Sequence, residues 1–304
     1  MIPFEVSILG SSSATPTANR YPTSQLINFR DKYFLFDCGE GTQHQLRRYK
    51  LSFSKIDYIF ISHLHGDHFF GLSGLLSSFH LLGRTKELHL FAPAGLQEIL
   101  EVQFKITGTK LTYPLIFHAH PKEGGVILDE EHFAVQAYPL RHSIACWGFV
   151  FSEKELPRKI DKEKIEQLNV PIHARHKLKL GEDYVSDSGE VIPNAELTFD
   201  PPKPRSYGFF TDTKVMDILA PELEGLSVLY HEATFLEAAK GRAKQTFHST
   251  SIQAANFAKA ANVGQLYIGH FSARYKDLSV FLEECRPIFP DTHLALEGTK
   301  IIIE

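Results

Sequence analysis

Four side chains of metal-ligand type lie within six positions, in the run HLHGDH at residues 63–68. The run directly follows an apolar segment that is typical of a buried strand. In an extended chain residues two apart point to the same side, so His63 and His65 can bind one ion. After the intervening glycine, Asp67 and His68 can face a second ion. The alternative is a polar loop with solvated histidines, which the position at the end of a buried strand disfavours.

A two-metal site needs more ligands than this run supplies, because zinc is usually bound by four groups of the His and carboxylate type. Single polar residues follow three further predicted strands: His142 after YPLR, Asp212 after YGFFT and His270 after LYIG. Each alone is typical of a solvated loop. Their matching positions at strand ends predict that they join the first four residues, with Asp212 able to bridge two ions through its two oxygens.

The composition excludes several classes of protein. The chain has 304 residues, 43% hydrophobic and 22% charged, which is ordinary for a globular protein and excludes a disordered, collagenous or disulfide-scaffold chain. A net charge of −4 excludes a globally basic nucleic-acid binder, but not a local basic patch. Three widely spaced cysteines predict a reduced, cytoplasmic compartment. We find no signal peptide and no apolar run long enough for a membrane span.

The apolar patterns predict two sheets covered by helices, interrupted from about Ser152 to about Pro204 by a polar segment with one short helix. The predicted strands are Phe4–Leu9, Tyr33–Phe36, Ile56–Ile61, Leu88–Phe91, Leu115–His118, Phe133–Pro139, Trp147–Phe151, Tyr207–Thr211, Leu226–Tyr230, Leu266–Ile268 and Leu294–Ile303. The predicted helices are Gly71–Gly83, Gly95–Thr107, Lys159–Leu168, Ser251–Val263 and Asp277–Phe289.

Four further motifs identify a family resemblance that covers the chain from Phe4 to its C-terminus. They are TDT at 211–213, HEAT at 231–234, HST at 248–250 and GHFS at 269–272. With HLHGDH, the sequence resembles the metallo-β-lactamase superfamily and, within it, the ribonuclease Z family of tRNA 3′-end-processing endonucleases. The resemblance implies an α/β fold, a four-layer αββα metallo-β-lactamase sandwich formed by residues 1–304 as a single domain. It also implies an inserted, protruding arm at about residues 152–204.

The resemblance also implies the site and its chemistry, with two Zn²⁺ per subunit. His63, His65 and His142 would bind the first zinc. Asp67, His68 and His270 would bind the second, with Asp212 bridging them. Asp67 would also accept the proton of the attacking water. His248 would protonate the leaving 3′ oxygen, with Glu232 orienting its imidazole. The alternative for His248 is an N-cap position before the helix that follows.

The arm carries the positive charge that RNA would contact. Residues 153–179 hold eight Lys or Arg and five Asp or Glu, a net charge of +3. A solvated surface helix is the alternative interpretation. In the resembling family this segment grips the elbow of tRNA by shape and phosphate contacts. The PPKPR run at 201–205 resembles a family loop that lies near the RNA end. The expected RNA-binding residues are Lys154, Arg158, Lys159, Lys162, Lys164, Arg175, Lys177, Lys179, Lys203 and Arg205.

The resulting hypothesis is a cytoplasmic, homodimeric zinc endoribonuclease that removes the 3′ trailer of precursor tRNA. Three alternative functions are also compatible with parts of the sequence. A small-molecule phosphodiesterase, lactonase or thioester hydrolase of the same fold would not need the arm. A non-catalytic RNA-binding protein with a relic metal site would be expected to lack part of the ligand set. Hydrolysis of the glyoxalase or lactamase type is disfavoured by the HEAT and HST motifs.

Overall fold

The computed structural model describes residues 2–186 and 188–304. The chain divides into two compact units: residues 130–133 and 152–205 form the smaller unit, and the rest of the chain forms the larger. In the part of the chain that the structure describes, no helix is both long and apolar enough to cross a membrane.

The larger unit contains two sheets of seven strands each. The first sheet has the order β18-β1-β2-β3-β4-β5-β6, with β1 (Phe4–Gly10), β2 (Ser24–Phe29), β3 (Lys32–Phe36), β4 (Ile56–Phe60), β5 (Leu88–Ala92), β6 (Leu115–Ala119) and β18 (Lys300–Ile302). The second has the order β17-β16-β15-β14-β9-β8-β7, with β7 (Gly125–Asp129), β8 (Phe133–Leu140), β9 (Cys146–Glu153), β14 (Ser206–Phe210), β15 (Val228–Glu232), β16 (Gln265–Gly269) and β17 (Thr292–Leu294).

Phenylalanine side chains join the two sheets face to face. Phe151 of β9 lies 5.0–5.3 Å, centroid to centroid, from Phe4, Phe29 and Phe34 of the first sheet. Offset and edge-on ring contacts of this kind add to the free energy of burying the rings. The second sheet also reaches the first through Phe209, whose ring centroid is 5.6 Å from that of Phe36.

Helices cover the outer faces, which completes the four layers that the family resemblance implied. The outer face of the first sheet shares one hydrophobic cluster with α1, α3 and α4, and that of the second shares another with α9 and α10. Helices of the larger unit are α1 (Thr42–Arg48), α2 (Gly66–Phe69), α3 (Leu72–Leu81), α4 (Gly95–Thr107), α8 (Lys240–Thr246), α9 (Ser251–Ala260) and α10 (Ser279–Cys285), with 3₁₀ turns at Phe53–Lys55, Asp217–Leu219 and Glu237–Ala239.

The smaller unit has its own hydrophobic core of Ile165, Val170, Ala174, Leu178 and Leu197. The sequence patterns predicted only one helix there. The elements are β10 (Lys159–Ile160), α5 (Lys162–Gln167), a 3₁₀ turn (Ile172–Ala174), α6 (Arg175–Lys179), β11 (Tyr184–Val185), β12 (Val191–Ile192), α7 (Asn194–Leu197) and β13 (Thr198–Phe199). Its role as an RNA-gripping arm stays a prediction.

One strand prediction was wrong at the C-terminus. The predicted strand Leu294–Ile303 is two strands in different sheets, because β17 ends at Leu294 and β18 begins at Lys300. Gly298, with a φ of +88°, turns the chain between them. The patterns also missed β2 and β7, which pair antiparallel with β1 and β8 respectively.

Candidate metal centre

The seven predicted ligands all lie shortly after the ends of strands. The HLHGDH run begins three residues after β4 ends, and α2 begins at Gly66 within it. The parallel strands β14, β15 and β16 end side by side, which brings Asp212, Glu232 and His270 to one edge of the second sheet. Three residues that follow strands of the two sheets have left-handed backbone: Asp37 after β3 (φ +55°), Asp212 after β14 (φ +44°) and His270 after β16 (φ +59°).

The first ligand group consists of His63, His65, His142 and Asp212. His65 Nδ1 lies 3.1 Å from both His63 Nε2 and His142 Nε2. Asp212 Oδ2 lies 3.6 Å from each of those two Nε2 atoms. Four atoms bound tetrahedrally at about 2.1 Å from one zinc ion are separated by about 3.4 Å. The donor set and its spacing therefore fit one zinc ion.

The second group consists of Asp67, His68 and His270, with Asp212 beside it. Asp212 Oδ1 lies 3.2 Å from His68 Nε2 and 3.0 Å from His270 Nε2. Both Nε2 atoms are buried and, in spite of these distances, neither makes a hydrogen bond of acceptable geometry within the described chain. Buried polar atoms are rarely left unpartnered, so these two nitrogens fit the role of metal ligands. Asp212 turns Oδ2 to the first group and Oδ1 to the second, as a bridging ligand would.

A further set of groups orients the imidazoles, and the sequence patterns missed it. Asp37 Oδ2 lies 2.7 Å from His68 Nδ1, and Asp37 accepts hydrogen bonds from the Ser62 N–H and Oγ. Thr234 Oγ1 lies 2.9 Å from His270 Nδ1. Such partners fix the ring orientation of metal-binding histidines. Asp37 ends a predicted strand, as the ligands do, so its position was the available signal.

The carboxylates give the site a negative potential. Burial alone would lower the pKa of His270, but the Asp212 carboxylate outweighs it and raises that pKa to about 10. The same balance raises the pKa of His68, against the effect of burial. For His63, burial together with the charge of His68 lowers the pKa. A site that holds protons this tightly also favours a divalent cation in their place.

His248 and Glu232 form a separate pair beside the ligands. His248 Nδ1 lies 2.9 Å from Glu232 Oε1, and Glu232 is fully buried. Glu232 also accepts hydrogen bonds from the N–H groups of Thr213, Thr234 and Ser249. Burial would lower the pKa of His248, but the Glu232 charge outweighs it and raises the pKa. The cap of α9 is Thr250, not His248, so the alternative interpretation of His248 as an N-cap is wrong.

The β1–β2 loop, residues 11–23, forms one wall of the cleft and contacts Asp67. The Ala14 N–H donates a hydrogen bond of 2.7 Å to Asp67 Oδ2. The cleft has a volume of about 790 Å³ and is also lined by His65, His142 and His248. Five of the seven proposed ligands and His248 therefore line one opening that solvent can enter, and His63, His68 and Glu232 are buried.

The predicted RNA-binding residues lie in the smaller unit and differ in exposure. Two arginines among them form close ion pairs with carboxylates. The Arg158 guanidinium pairs with Asp200, and that of Arg205 is buried and donates to both oxygens of Glu153, at 2.9 and 3.1 Å. Six are exposed: Lys159, Lys162, Lys164, Lys177, Lys179 and Lys203. Lys154 and Arg175 are half-buried. RNA contact by these residues stays a prediction. The buried ion pair of Arg205 makes it the least suited of them to bind a phosphate.

Comparisons with known proteins give the family. A family model described as anti-Pycsar protein Apyc1 matches residues 4–156, just over half of the chain. That match includes the HLHGDH run and His142, but ends before Asp212, Glu232 and His248. The chain is similar over almost its whole length to ribonuclease Z of Bacteroides fragilis, with 47% identity over 299 residues, 98% of each chain.

Solved structures agree with this match. Human tRNase Z, short form, superposes with a TM-score of 0.72 at 26% identity, over 99% of each chain. The metallo-β-lactamase fold protein YhfI from Bacillus subtilis superposes with a TM-score of 0.70 at 18% identity, over 99% of this chain and 100% of that one, which shows the shared fold. The match to ribonuclease Z extends over Glu232 and His248, which the Apyc1 model does not reach, and the chain therefore belongs to the ribonuclease Z family.

Proposed function

We propose that this chain hydrolyses one phosphodiester bond of precursor tRNA, leaving a 3′-hydroxyl on the tRNA and a 5′-phosphate on the trailer. As a ribonuclease Z, the chain is a metal-dependent endoribonuclease. The observation that carries the proposal is one cleft lined by five of the seven proposed ligands, with the other two buried behind it, and by a histidine that a buried glutamate holds. A base, a phosphate-binding centre and an acid are the groups that this hydrolysis needs.

Two zinc ions per subunit are the proposed cofactors. His63, His65 and His142 would hold one ion, and Asp67, His68 and His270 would hold the other, with Asp212 between them. The spacing of the first group and the unpartnered nitrogens of the second support this division. Two bound ions lower the pKa of water and neutralise charge on a phosphodiester undergoing in-line displacement.

The remaining steps are proton transfers by the chain itself. Asp67 accepts the proton of the attacking water, and the Ala14 N–H keeps its Oδ2 in position. His248 donates a proton to the departing ribose 3′ oxygen, which is a poor leaving group as an alkoxide. Glu232 orients the His248 ring and favours its protonated form.

The smaller unit is the proposed arm that grips precursor tRNA. Its positive charge is unevenly distributed, because residues 153–179 carry a net +3 whereas residues 180–204 carry one lysine and six acids. The exposed lysines of α5 and α6 are therefore the groups best suited to phosphate contacts.

A homodimer in the cytoplasm is the proposed state of the protein. The outer side of α4 exposes Ile99, Val102 and Ile106, at the i, i+3, i+7 spacing of one helix face, and Phe70 is also exposed. A second copy of this chain is the proposed occupant of this apolar face. Val102→Asp should then give a monomer by light scattering, whereas Thr109→Asp, just beyond the helix, should not. The three buried thiols fit a reducing compartment.

Cleavage of an unprocessed tRNA transcript, with the ends of both products mapped, tests the function. A trailer with a 5′-phosphate and a cut at the 3′ side of the tRNA are expected, together with about two zinc ions per subunit by metal analysis. Full activity after exhaustive chelation would contradict the metal assignment.

A small-molecule phosphodiesterase of the same fold is the second candidate, because the residues of the Apyc1 match, 4–156, include five of the seven proposed ligands but not the His248–Glu232 pair. If it is correct, kcat/KM for a small diester should exceed that for precursor tRNA. We favour tRNA processing because the His248–Glu232 pair lies outside that match.

A further inference from the structure

A second cleft lies beside the metal cleft, and Ala273 belongs to the linings of both. It has a volume of about 680 Å³. In the β1–β2 loop, residues 13–16 line the metal cleft and residues 17–20 line the second cleft. In the segment after β16, residues 272–274 line the first, and Ala273, Tyr275 and Lys276 line the second. A chain molecule that leaves the metal cleft over these two segments would therefore reach the second cleft.

The second cleft is basic and contains aromatic rings. Arg20, Arg48 and Lys276 line it together with one acid, Glu297. The Arg20 guanidinium joins the two segments by donating to the carbonyl oxygens of Tyr275 and Ser272, at 2.9 and 3.3 Å. Its Nε is buried and has no hydrogen-bond partner among the described residues.

Two of these cations are free to take a ligand. Arg48 and Lys276 are exposed, and neither has an ion-pair partner within the described chain. Tyr49 and Tyr275, both half-buried, also line this cleft. Cations along a groove with aromatic side chains are the features that bind single-stranded nucleic acid without sequence preference.

The direction of the RNA follows from the proposed acid. His248 lines the metal cleft and also a smaller basic cleft of about 200 Å³ that contains Arg141, Lys214 and Lys244. Because His248 would protonate the 3′ oxygen of the tRNA, the tRNA end belongs on the His248 side. The phosphate remains on the trailer, so the trailer must leave by another route.

We propose that the cleft of Arg20, Arg48 and Lys276 binds the first nucleotides of the single-stranded 3′ trailer. This inference rests on the proposed function, because it assigns the leaving strand of that reaction to a place on the surface. It predicts that affinity for precursor tRNA depends on the length of the trailer, and that Arg48 and Lys276 cause that dependence.

The test compares two precursors of one tRNA, with trailers of one nucleotide and of about ten nucleotides. The double variant Arg48→Ala/Lys276→Ala is compared with Lys122→Ala/Lys259→Ala, which removes the same charge at exposed sites outside these clefts. For the long trailer only, the first variant should raise KM with little change in kcat. The slope of log KM against log salt should fall by about 1.4, for two lost phosphate contacts on a single strand. The control variant should resemble the wild type.

Three outcomes would overturn the inference. Equal losses on both substrates would mean that these cations attract tRNA in general. No change on either would mean that the trailer does not enter this cleft. Both outcomes leave the proposed function intact, since the precursors are still cleaved. If the wild-type enzyme cleaves neither precursor, the proposed function fails and this inference fails with it.

Discussion

The contribution of His248 and Glu232 to the rate should depend on the leaving group of the substrate. If His248 supplies the proton to the leaving oxygen, its importance depends on how poor that leaving group is. His248→Ala should lower kcat on precursor tRNA by about 10²–10⁴-fold. On a nitrophenyl phosphodiester, whose leaving group needs no proton, the loss should be below about tenfold. Rates are measured at equal zinc content, and equal losses on the two substrates would refute the acid role.

His120 makes the stability of the fold dependent on pH. Its Nε2 donates to the Ile61 carbonyl oxygen at 2.8 Å, and its Nδ1 is buried without a hydrogen-bond partner in the described residues. Burial lowers the pKa of His120 to about 4. The unfolded chain, in which the pKa is about 6.5, therefore binds more protons than the folded chain between these values. The contribution of His120 to the free energy of unfolding should fall by up to about 3 kcal/mol as pH falls from about 6.5 to about 4, and then level off.

Denaturant unfolding of the metal-free protein across this pH range measures the effect. His120→Gln keeps a hydrogen-bond donor near Ile61 but has no group that titrates in this range. Its free energy of unfolding should therefore depend less steeply on pH than that of the wild type. His44→Gln, at an exposed position, serves as the control and should keep the wild-type slope. Identical slopes for His120→Gln and the wild type would contradict the prediction.

At the scale of elements, the β1–β2 loop depends on a carboxylate distant in sequence. Glu297 accepts hydrogen bonds from the N–H groups of Ser11 and Tyr21, at 3.1 and 2.9 Å, and from the Ser11 hydroxyl at 3.1 Å. The same loop places the Ala14 N–H on Asp67. Glu297 is therefore a positioning residue for Asp67.

Glu297→Ala should lower kcat by about tenfold, equivalent to about 1.4 kcal/mol, on precursor tRNA and on a small diester alike. Zinc content should be unchanged. Glu297→Gln keeps an acceptor for both N–H groups and should restore most of the activity. A merely structural role would instead lower the melting temperature of both variants and leave kcat per folded, metal-loaded molecule unchanged.

The sequence was informative where a strand is apolar throughout and ends on a lone polar residue. That pattern located β4, β14 and β16 and the residues His63, Asp212 and His270 that follow them. It failed for β2, because Gln25 and Asn28 interrupt its apolar run although Gln25 is buried and bonded to Tyr207. It could not assign Asp37, since its contact with His68 joins residues that are 31 positions apart and exists only once the sheet forms.

At the scale of the whole molecule, the smaller unit can be removed by design. Glu153 N donates to the Arg205 carbonyl oxygen at 2.8 Å, so the two ends of the insertion are adjacent. A Gly-Ser-Gly linker in place of residues 154–204 should therefore leave the larger unit intact. The truncated protein should hydrolyse a small diester at a near-normal rate and cleave precursor tRNA poorly at moderate salt.

The salt dependence of RNA binding should also weaken in that variant, because fewer phosphates are neutralised. Unchanged cleavage of precursor tRNA would mean that the insertion does not recognise RNA. Loss of both activities with zinc still bound would mean that it helps to build the active site.

The left-handed backbone at Asp37, Asp212 and His270 should affect the abundance of the protein in the cell. Each such residue costs about 1–3 kcal/mol, against a total stability of about 5–15 kcal/mol for a typical domain. Two zinc ions bound as proposed would offset that cost by mass action, since they bind only the folded chain. When zinc is scarce, the metal-free chain would unfold more often and be degraded by proteases. The abundance of this enzyme, and not only its activity, would then follow the availability of zinc.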